Sequence, residues 1–194
     1  MKPRNQDDDP YVHPGTTVLK NKLGITDPVK LQQAELRFAL SGERQMPALS
    51  PNERGLRDAH LFLFGRLYEW AGELRTCELA KGQSLFCRAR FIQQSLDTTF
   101  RELARERHLD GLEVPAFAVR AAHYHGELNA IHPFREGNGR AVRVWMVHLA
   151  RRAGHELTLA RIDPEAWLQA SRDSMKGDTR PMASLLQSAL KPTT

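Results

Sequence analysis

The stretch Ala130–Arg143, AIHPFREGNGRAVR, gathers a histidine, a carboxylate, an asparagine, two glycines and arginines at Arg140 and Arg143 into one short run. A glycine-rich turn ahead of a helix presents unpaired backbone N–H groups and the positive end of the helix dipole, which together seat an anion. Gly137 and Gly139 free that turn, Asn138 adds an amide donor, and Arg140 and Arg143 stand three apart on one helix face. Two guanidinium forks beside a backbone nest suit a multiply charged phosphate chain better than a single carboxylate. Glu136 is out of place in an anion seat unless a cation stands between it and the phosphates, as Mg²⁺ commonly does. His132 is the proton acceptor of the run, and the neighbouring helix N-terminus favours the neutral imidazole that a general base requires. The local chemistry is therefore nucleotidyl or phosphoryl transfer to a hydroxyl.

These groups need two helices to hold them. Val114-Pro115 opens one, carrying Phe117, Ala121, Tyr124 and Leu128, and Pro133 stops it. The next carries Ala141, Val144, Trp145, His148 and Leu149, with Val142, Met146 and Ala153 around its other sides. A helix apolar on nearly all sides belongs in the middle of a bundle. Further helices are expected over DPVKLQQAELRFAL, with Asp27 as N-cap and Pro28 at its first position, and from Ser50-Pro51 through Leu56, Ala59, Leu63, Leu67 and Trp70. Others follow at Phe91–Leu103, DPEAWLQASRDSM and TRPMASLLQSAL. The segment ELRTCELAKGQSLFCRARF, with a turn at Lys81-Gly82, reads as a short β-hairpin. The expected fold class is all-α, a helical bundle with one hairpin flap. Residues 1–50 form an N-terminal arm and helix, and residues 51–194 the catalytic domain.

Composition is that of a folded soluble protein rather than a disordered one. The 194 residues are 41% hydrophobic and 26% charged, and no run approaches the roughly 18 apolar residues of a membrane span. The polar, proline-bearing start is no secretory signal. The cytosol is the expected compartment, with export into another cell as the alternative. A net charge of +5 favours anionic partners, but no basic run is long enough to single out nucleic acid. Cys77 and Cys87 are too few for a disulfide framework and read as reduced thiols.

The run His132, Pro133, Phe134, Glu136, Gly137, Asn138, Gly139, Arg140, Arg143 resembles without departure the signature of the Fic family of protein adenylyltransferases. HLFLFGRLYEWAGELRT resembles the family's helix leading into its target-binding flap, KGQSLFC the flap tip, and YVHPGTTVLKNKLGI the arm of many members. The resemblance implies that His132 takes a proton from a target Tyr, Ser or Thr hydroxyl, which attacks the α-phosphate of ATP in line. Glu136 would hold Mg²⁺, and Gly137, Asn138, Gly139, Arg140 and Arg143 the phosphates, Arg143 toward the γ end. AMP would remain on the target protein. Phe134 would anchor the loop in the core, and Lys81 and Gly82 would sit at the tip of a flap that aligns the target by strand addition.

Many members carry a self-inhibitory helix marked [Ser/Thr]-x-x-x-Glu-[Gly/Asn]. Thr98 to Glu102 has that spacing, but Leu103 follows where glycine or asparagine is needed. The absence resembles the class restrained by a separate small antitoxin protein, whose Glu would reach Arg143. Toxins of that class act on DNA gyrase and topoisomerase IV subunits, the first candidates for targets. Transfer of a phosphoryl or phosphocholine group on the same fold, and an exported effector acting on host proteins, are the alternatives within the family. Outside it stands a basic helical DNA-binding module, which leaves His132 and Glu136 idle, so no direct nucleic-acid binding is expected. His123 and His125, two apart on a helix, face different ways and make a poor metal pair. His60 reads equally as a satisfied structural histidine and as a member of the site, and Trp70, Trp145 and Trp167 read as core.

Overall fold

The computed structural model describes residues 2–3, 9–81 and 84–192. Among the described residues seven α-helices carry the fold, as the periodicity predicts. Helix α1 (Pro28–Arg44) starts where expected, the Asp27 carboxylate accepting from the N–H groups of Val29 and Lys30 at 2.9 and 2.8 Å. Helix α2 (Glu53–Phe64) begins two residues later than Pro51, because Asn52 caps it by accepting from the N–H of Gly55. It also stops short of the expected Trp70. Lys22 of the arm donates its backbone N–H to the Leu67 carbonyl and its Nζ to the Gly65 carbonyl, taking acceptors that a longer helix would need. Leu67 and Trp70 are buried all the same, from a turn rather than a helix.

Helix α3 (Ile92–Arg105) buries Ile92, Leu96, Phe100 and Leu103. Its end turns through Arg107, His108 and Leu109, all left-handed, which delivers Leu109 fully into the core. Helices α4 (Val114–Ile131) and α5 (Asn138–Arg152) form the centre, with α2 packed on α5 and α7 (Arg180–Ala189) on α4. Helix α6 (Pro164–Ser174), capped by Asp163, closes the bundle beside α7. Val12, Val18 and Leu19 of the arm and Leu31 of α1 join the same core.

The hairpin is present, as β2 (Leu79–Lys81) and β3 (Ser84–Leu85), antiparallel with Ala80 opposite Leu85. Gly82, the expected tip, lies outside the described residues, and Lys81 enters only as the last residue of β2. Two pairings are additions to the sequence reading. Strand β1 (Lys2–Pro3) lies antiparallel along β2, so β2 is the middle strand of three and β3 an open edge. Strand β4 (His155–Leu157), just after α5, pairs with β5 (Leu190–Pro192), just after α7. Two three-residue strands that far apart in the chain leave no periodicity to read.

Candidate active site

The site is the turn between α4 and α5, lying against α2. Helix α4 ends because His132 adopts a left-handed conformation, φ 51°, directly ahead of Pro133. Such a conformation costs a non-glycine residue about 1–3 kcal/mol and persists only where surroundings over-determine it. Three contacts do so. The His132 N–H donates to the Leu128 carbonyl, its carbonyl accepts from Arg75 Nε at 2.8 Å, and its ring stacks on Phe86 with centroids 3.8 Å apart. The ring's Nδ1 lies 3.2 Å from the Asn129 carbonyl. A carbonyl can only accept, so Nδ1 carries the hydrogen and Nε2 holds the basic lone pair of the neutral ring.

The turn is held from inside. Asn138 Oδ1 accepts from the Phe134 N–H and its Nδ2 donates to the Phe134 carbonyl, both at 2.8 Å. The expectation that this amide faces an anion is thereby corrected. Its side chain closes the loop, and what Asn138 offers an anion is its backbone N–H at the first position of α5. Phe134 is fully buried, as expected, and stacks on His60 at 4.0 Å. His60 is structural. Its Nδ1 accepts from the Gly72 N–H at 2.8 Å and its Nε2 donates to the Glu136 carbonyl at 2.9 Å. Arg135, between Phe134 and Glu136, is buried and paired through Nε and a terminal nitrogen to Asp9 of the arm at 2.9 and 2.7 Å.

Gly137 and Gly139 serve different ends. Gly137 has φ 80°, and a Cβ there would meet the Phe64 ring at 2.4 Å. Gly139 lies within α5, exposed, and a Cβ there would meet nothing within 4 Å. Gly139 is the second residue of α5, and no described protein atom requires a glycine there. The open space over the first turn is what a closely approaching ligand needs. Among the described residues no side chain caps α5, which leaves the N–H groups of Asn138 and Gly139, its first two residues, at an open helix N-terminus.

The two motif arginines differ. Arg140 donates to Glu35 of α1 at 2.8 Å and lies over the Phe64 ring, and the Tyr68 hydroxyl donates to the other Glu35 oxygen. Arg143 makes no ion pair among the described residues, and burial, with Arg140 adding, lowers its pKa. Glu136 is half-buried, one carboxylate oxygen accepting from the Gly137 N–H at 2.9 Å. Among the described residues no three His, Cys, Asp or Glu side chains cluster to cage a metal. A single carboxylate beside an anion seat is the donor set of Mg²⁺ shared with phosphates. Sequence reasoning did not find Asp9, Glu35, Arg75, Phe86 or Asn129. Arg135 was visible inside the motif, but nothing there marked its partner.

Residues 50–150 match the profile described as the Fic/DOC family. The chain belongs to this family. The probable protein adenylyltransferase y4lH of Sinorhizobium fredii is 38% identical over 182 residues, 93% of this chain and 95% of that protein. The probable protein adenylyltransferase Fic of Escherichia coli is 36% identical over 88% of this chain and 86% of its own length. The protein adenylyltransferase VbhT of Bartonella schoenbuchensis is 37% identical over 96% of this chain, which spans only 40% of that longer protein. Among solved structures, BepC of Bartonella tribocorum with bound AMPPNP superposes with a TM-score of 0.86 at 29% identity, over 95% of this chain and 97% of its own. The N-terminal Fic domain of a Bartonella quintana effector with bound ADP gives 0.88 at 29% identity, over 95% of each chain. The Fic fold is therefore present from arm to α7. Among the described residues no helix is long and apolar enough to cross a membrane.

The buried histidines of this Fic domain give it an acid limit. Burial, with Arg140 adding against the opposing Glu136 carbonyl, takes His60 down to about 4, and burial with Arg143 does the same for His125. Both bind a proton more readily when unfolded, so the stability they hold is complete above the unfolded value of 6.5 and is lost as pH falls toward 4. Each is expected to cost on the order of 2 kcal/mol between pH 7 and pH 5. Thermal melting at the two pH values checks this, and an unchanged midpoint would contradict it.

Proposed function

We propose that this Fic domain transfers AMP from ATP to a Tyr, Ser or Thr hydroxyl of a target protein. The observation that carries the reading is the His132 ring, whose Nδ1–H donates to the Asn129 carbonyl so that Nε2 is the basic nitrogen, in the turn that leads into α5 and its Arg140 and Arg143. His132 takes the hydroxyl proton, the oxygen bonds to the α-phosphorus, and the bond to the β-phosphate oxygen breaks to release pyrophosphate. The backbone N–H groups of Asn138 and Gly139 and the guanidinium groups of Arg140 and Arg143 offset charge on the phosphates. Glu136 would hold Mg²⁺, which supplies further charge neutralisation there. Nucleotides bound in the related structures support the choice of ATP. Incubation with α- or γ-labelled ATP and bacterial lysate tests the reading. Label on protein from the α position alone is expected; retention from the γ position would assign phosphoryl transfer instead.

The glycine at position 139 offers a sharper check on the phosphate seat. Gly139→Ala adds a methyl group in open space within a helix, so stability should hold or rise by up to about 1 kcal/mol. ATP affinity, measured by calorimetry, should nevertheless fall. An alanine variant that binds ATP as the parent does would place the phosphates elsewhere.

The regulatory reading is that of a toxin restrained by a separate antitoxin. A groove of ≈ 430 Å³ lies between α1 and α5, lined by Leu36, Leu40, Arg143 and Trp167 among others. Leu36 and Leu40 are exposed on it, while among the described residues Arg143 forms no ion pair, Glu43 acting on it only at longer range. An amphipathic antitoxin helix whose Glu reaches Arg143 satisfies both. Gyrase and topoisomerase IV subunits are the proposed targets, and mass spectrometry of co-expressed gyrase should show added AMP that disappears with His132→Ala.

A further inference from the structure

We infer that Arg75 is a positioning residue that joins the base of the flap and the catalytic histidine into one rigid unit. Its side chain is 2% exposed, and burial lowers its pKa, yet among the described residues it pairs with no carboxylate. A buried guanidinium without a counter-ion carries a desolvation cost of several kcal/mol, which a leucine or methionine filling the same space would avoid. The cost is offset by a full set of backbone acceptors. Nε donates to the His132 carbonyl at 2.8 Å, one terminal nitrogen to Cys77 at 2.6 Å, and the other to Cys87 at 2.5 Å and Ile131 at 3.3 Å. The backbone N–H of Arg75 donates to the Pro133 carbonyl at 2.9 Å.

Those carbonyls belong to two parts of the site. Cys77 and Cys87 flank the hairpin β2–β3 on its two sides, whereas Ile131, His132 and Pro133 run through the end of α4 into the catalytic turn. The last carbonyls of a helix lack donors within it, and a cation there also meets the negative end of the dipole. Arg75 thus completes the end of α4, holds the strained left-handed residue that follows, and ties both flap strands to it. The Cys87 N–H donating to the Ala130 carbonyl and the Phe86 ring on His132 follow the same seam.

The inference rests on the adenylyl-transfer reading. A target hydroxyl delivered by the flap must arrive within hydrogen-bond reach of Nε2, and the two belong to different segments of chain. Misplacement by about 1 Å is enough to cost roughly a hundredfold in rate. Arg75→Lys keeps the charge but loses the fork, and Arg75→Ala leaves a space that guanidinium ion can enter. Three readouts separate positioning from general support: the ¹⁵N NMR signal showing which His132 nitrogen is protonated, ATP affinity by calorimetry, and the rate of labelling of lysate proteins from α-labelled ATP.

Arg75→Lys should fold and bind ATP as the parent does, lose the pure Nδ1–H form of His132, and label protein about a hundredfold more slowly. Guanidinium should restore labelling to Arg75→Ala. An unchanged His132 signal, ATP affinity falling in step with rate, or no rescue of a folded Arg75→Ala would overturn the assignment. So would the failure of both variants to fold, since Arg75 would then serve stability alone. A parent that transfers no AMP would sink the functional reading, whereas the NMR signal would still decide the role of Arg75.

Discussion

His132→Ala is expected to slow AMP transfer by roughly 10²–10⁴-fold, the usual contribution of a positioned general base, while ATP affinity stays near that of the parent. The split follows from where the ring sits. Its contacts are the Asn129 carbonyl and the Phe86 ring, on the α4 and flap side of the turn. The groups that would bind phosphates, the first N–H groups of α5 with Arg140 and Arg143, belong to α5, where Arg140 meets Glu35 and Phe64 instead. The turn itself is closed by Asn138 on Phe134 and by His60 on the Glu136 carbonyl, none of which the substitution touches. What remains after removal of the base is electrostatic stabilisation of the phosphate chain, so the residual rate should still depend on Arg143. Single-turnover labelling with α-labelled ATP and calorimetric titration check the two halves separately. A variant that transfers AMP nearly as fast as the parent would remove His132 from the base role. One that loses ATP binding to the same degree would make it a structural part of the seat.

Much of this was legible because the motif is local. A glycine-rich turn between two helices can be read from a dozen consecutive residues, and His132, Glu136, Arg140 and Arg143 all lie on that turn or in the first turns of α5, although α4 rather than α5 is the helix apolar on most sides. The helices were legible wherever their own caps decide them, as at Asp27 and Asp163. Reading failed where a distant segment intervenes. Leu67 and Trp70 keep helical spacing, yet Lys22 from the arm captures the carbonyls of Gly65 and Leu67 and ends α2 first. Asn138 looked like a ligand donor because its type allows it, but a second partner, the backbone of Phe134, uses both ends of its amide. Glu35 could not be foreseen either, since pairing with Arg140 depends on how α1 packs on α2. The pattern is physical. Chemistry written in one turn is visible in sequence, whereas the groups that hold the turn come from residues far along the chain.

A distant support of the turn is the buried ion pair between Asp9 and Arg135, and its disruption should lower stability strongly. The two side chains are 0% and 4% exposed, with Nε and a terminal nitrogen of the guanidinium both on one carboxylate oxygen. Asp9→Asn keeps the shape and an acceptor but leaves a cation buried without a countercharge, a loss of about 3–5 kcal/mol. For a chain of this size each kcal/mol moves the melting midpoint by roughly 2–4 °C, so a drop on the order of 10 °C is expected. Asp178→Asn breaks a pair of similar length on the surface and should leave the midpoint unchanged, because solvent screens that pair. The pair's position adds a functional consequence: Arg135 lies between Phe134 and Glu136, so loosening it should slow AMP transfer as well. Lost packing and an unpaired charge give different answers in the double variant Asp9→Asn with Arg135→Met. Removing the cation relieves the buried charge, and the midpoint should recover most of the loss. A double variant as unstable as Asp9→Asn alone would show that the arm braces the catalytic turn by shape rather than by charge.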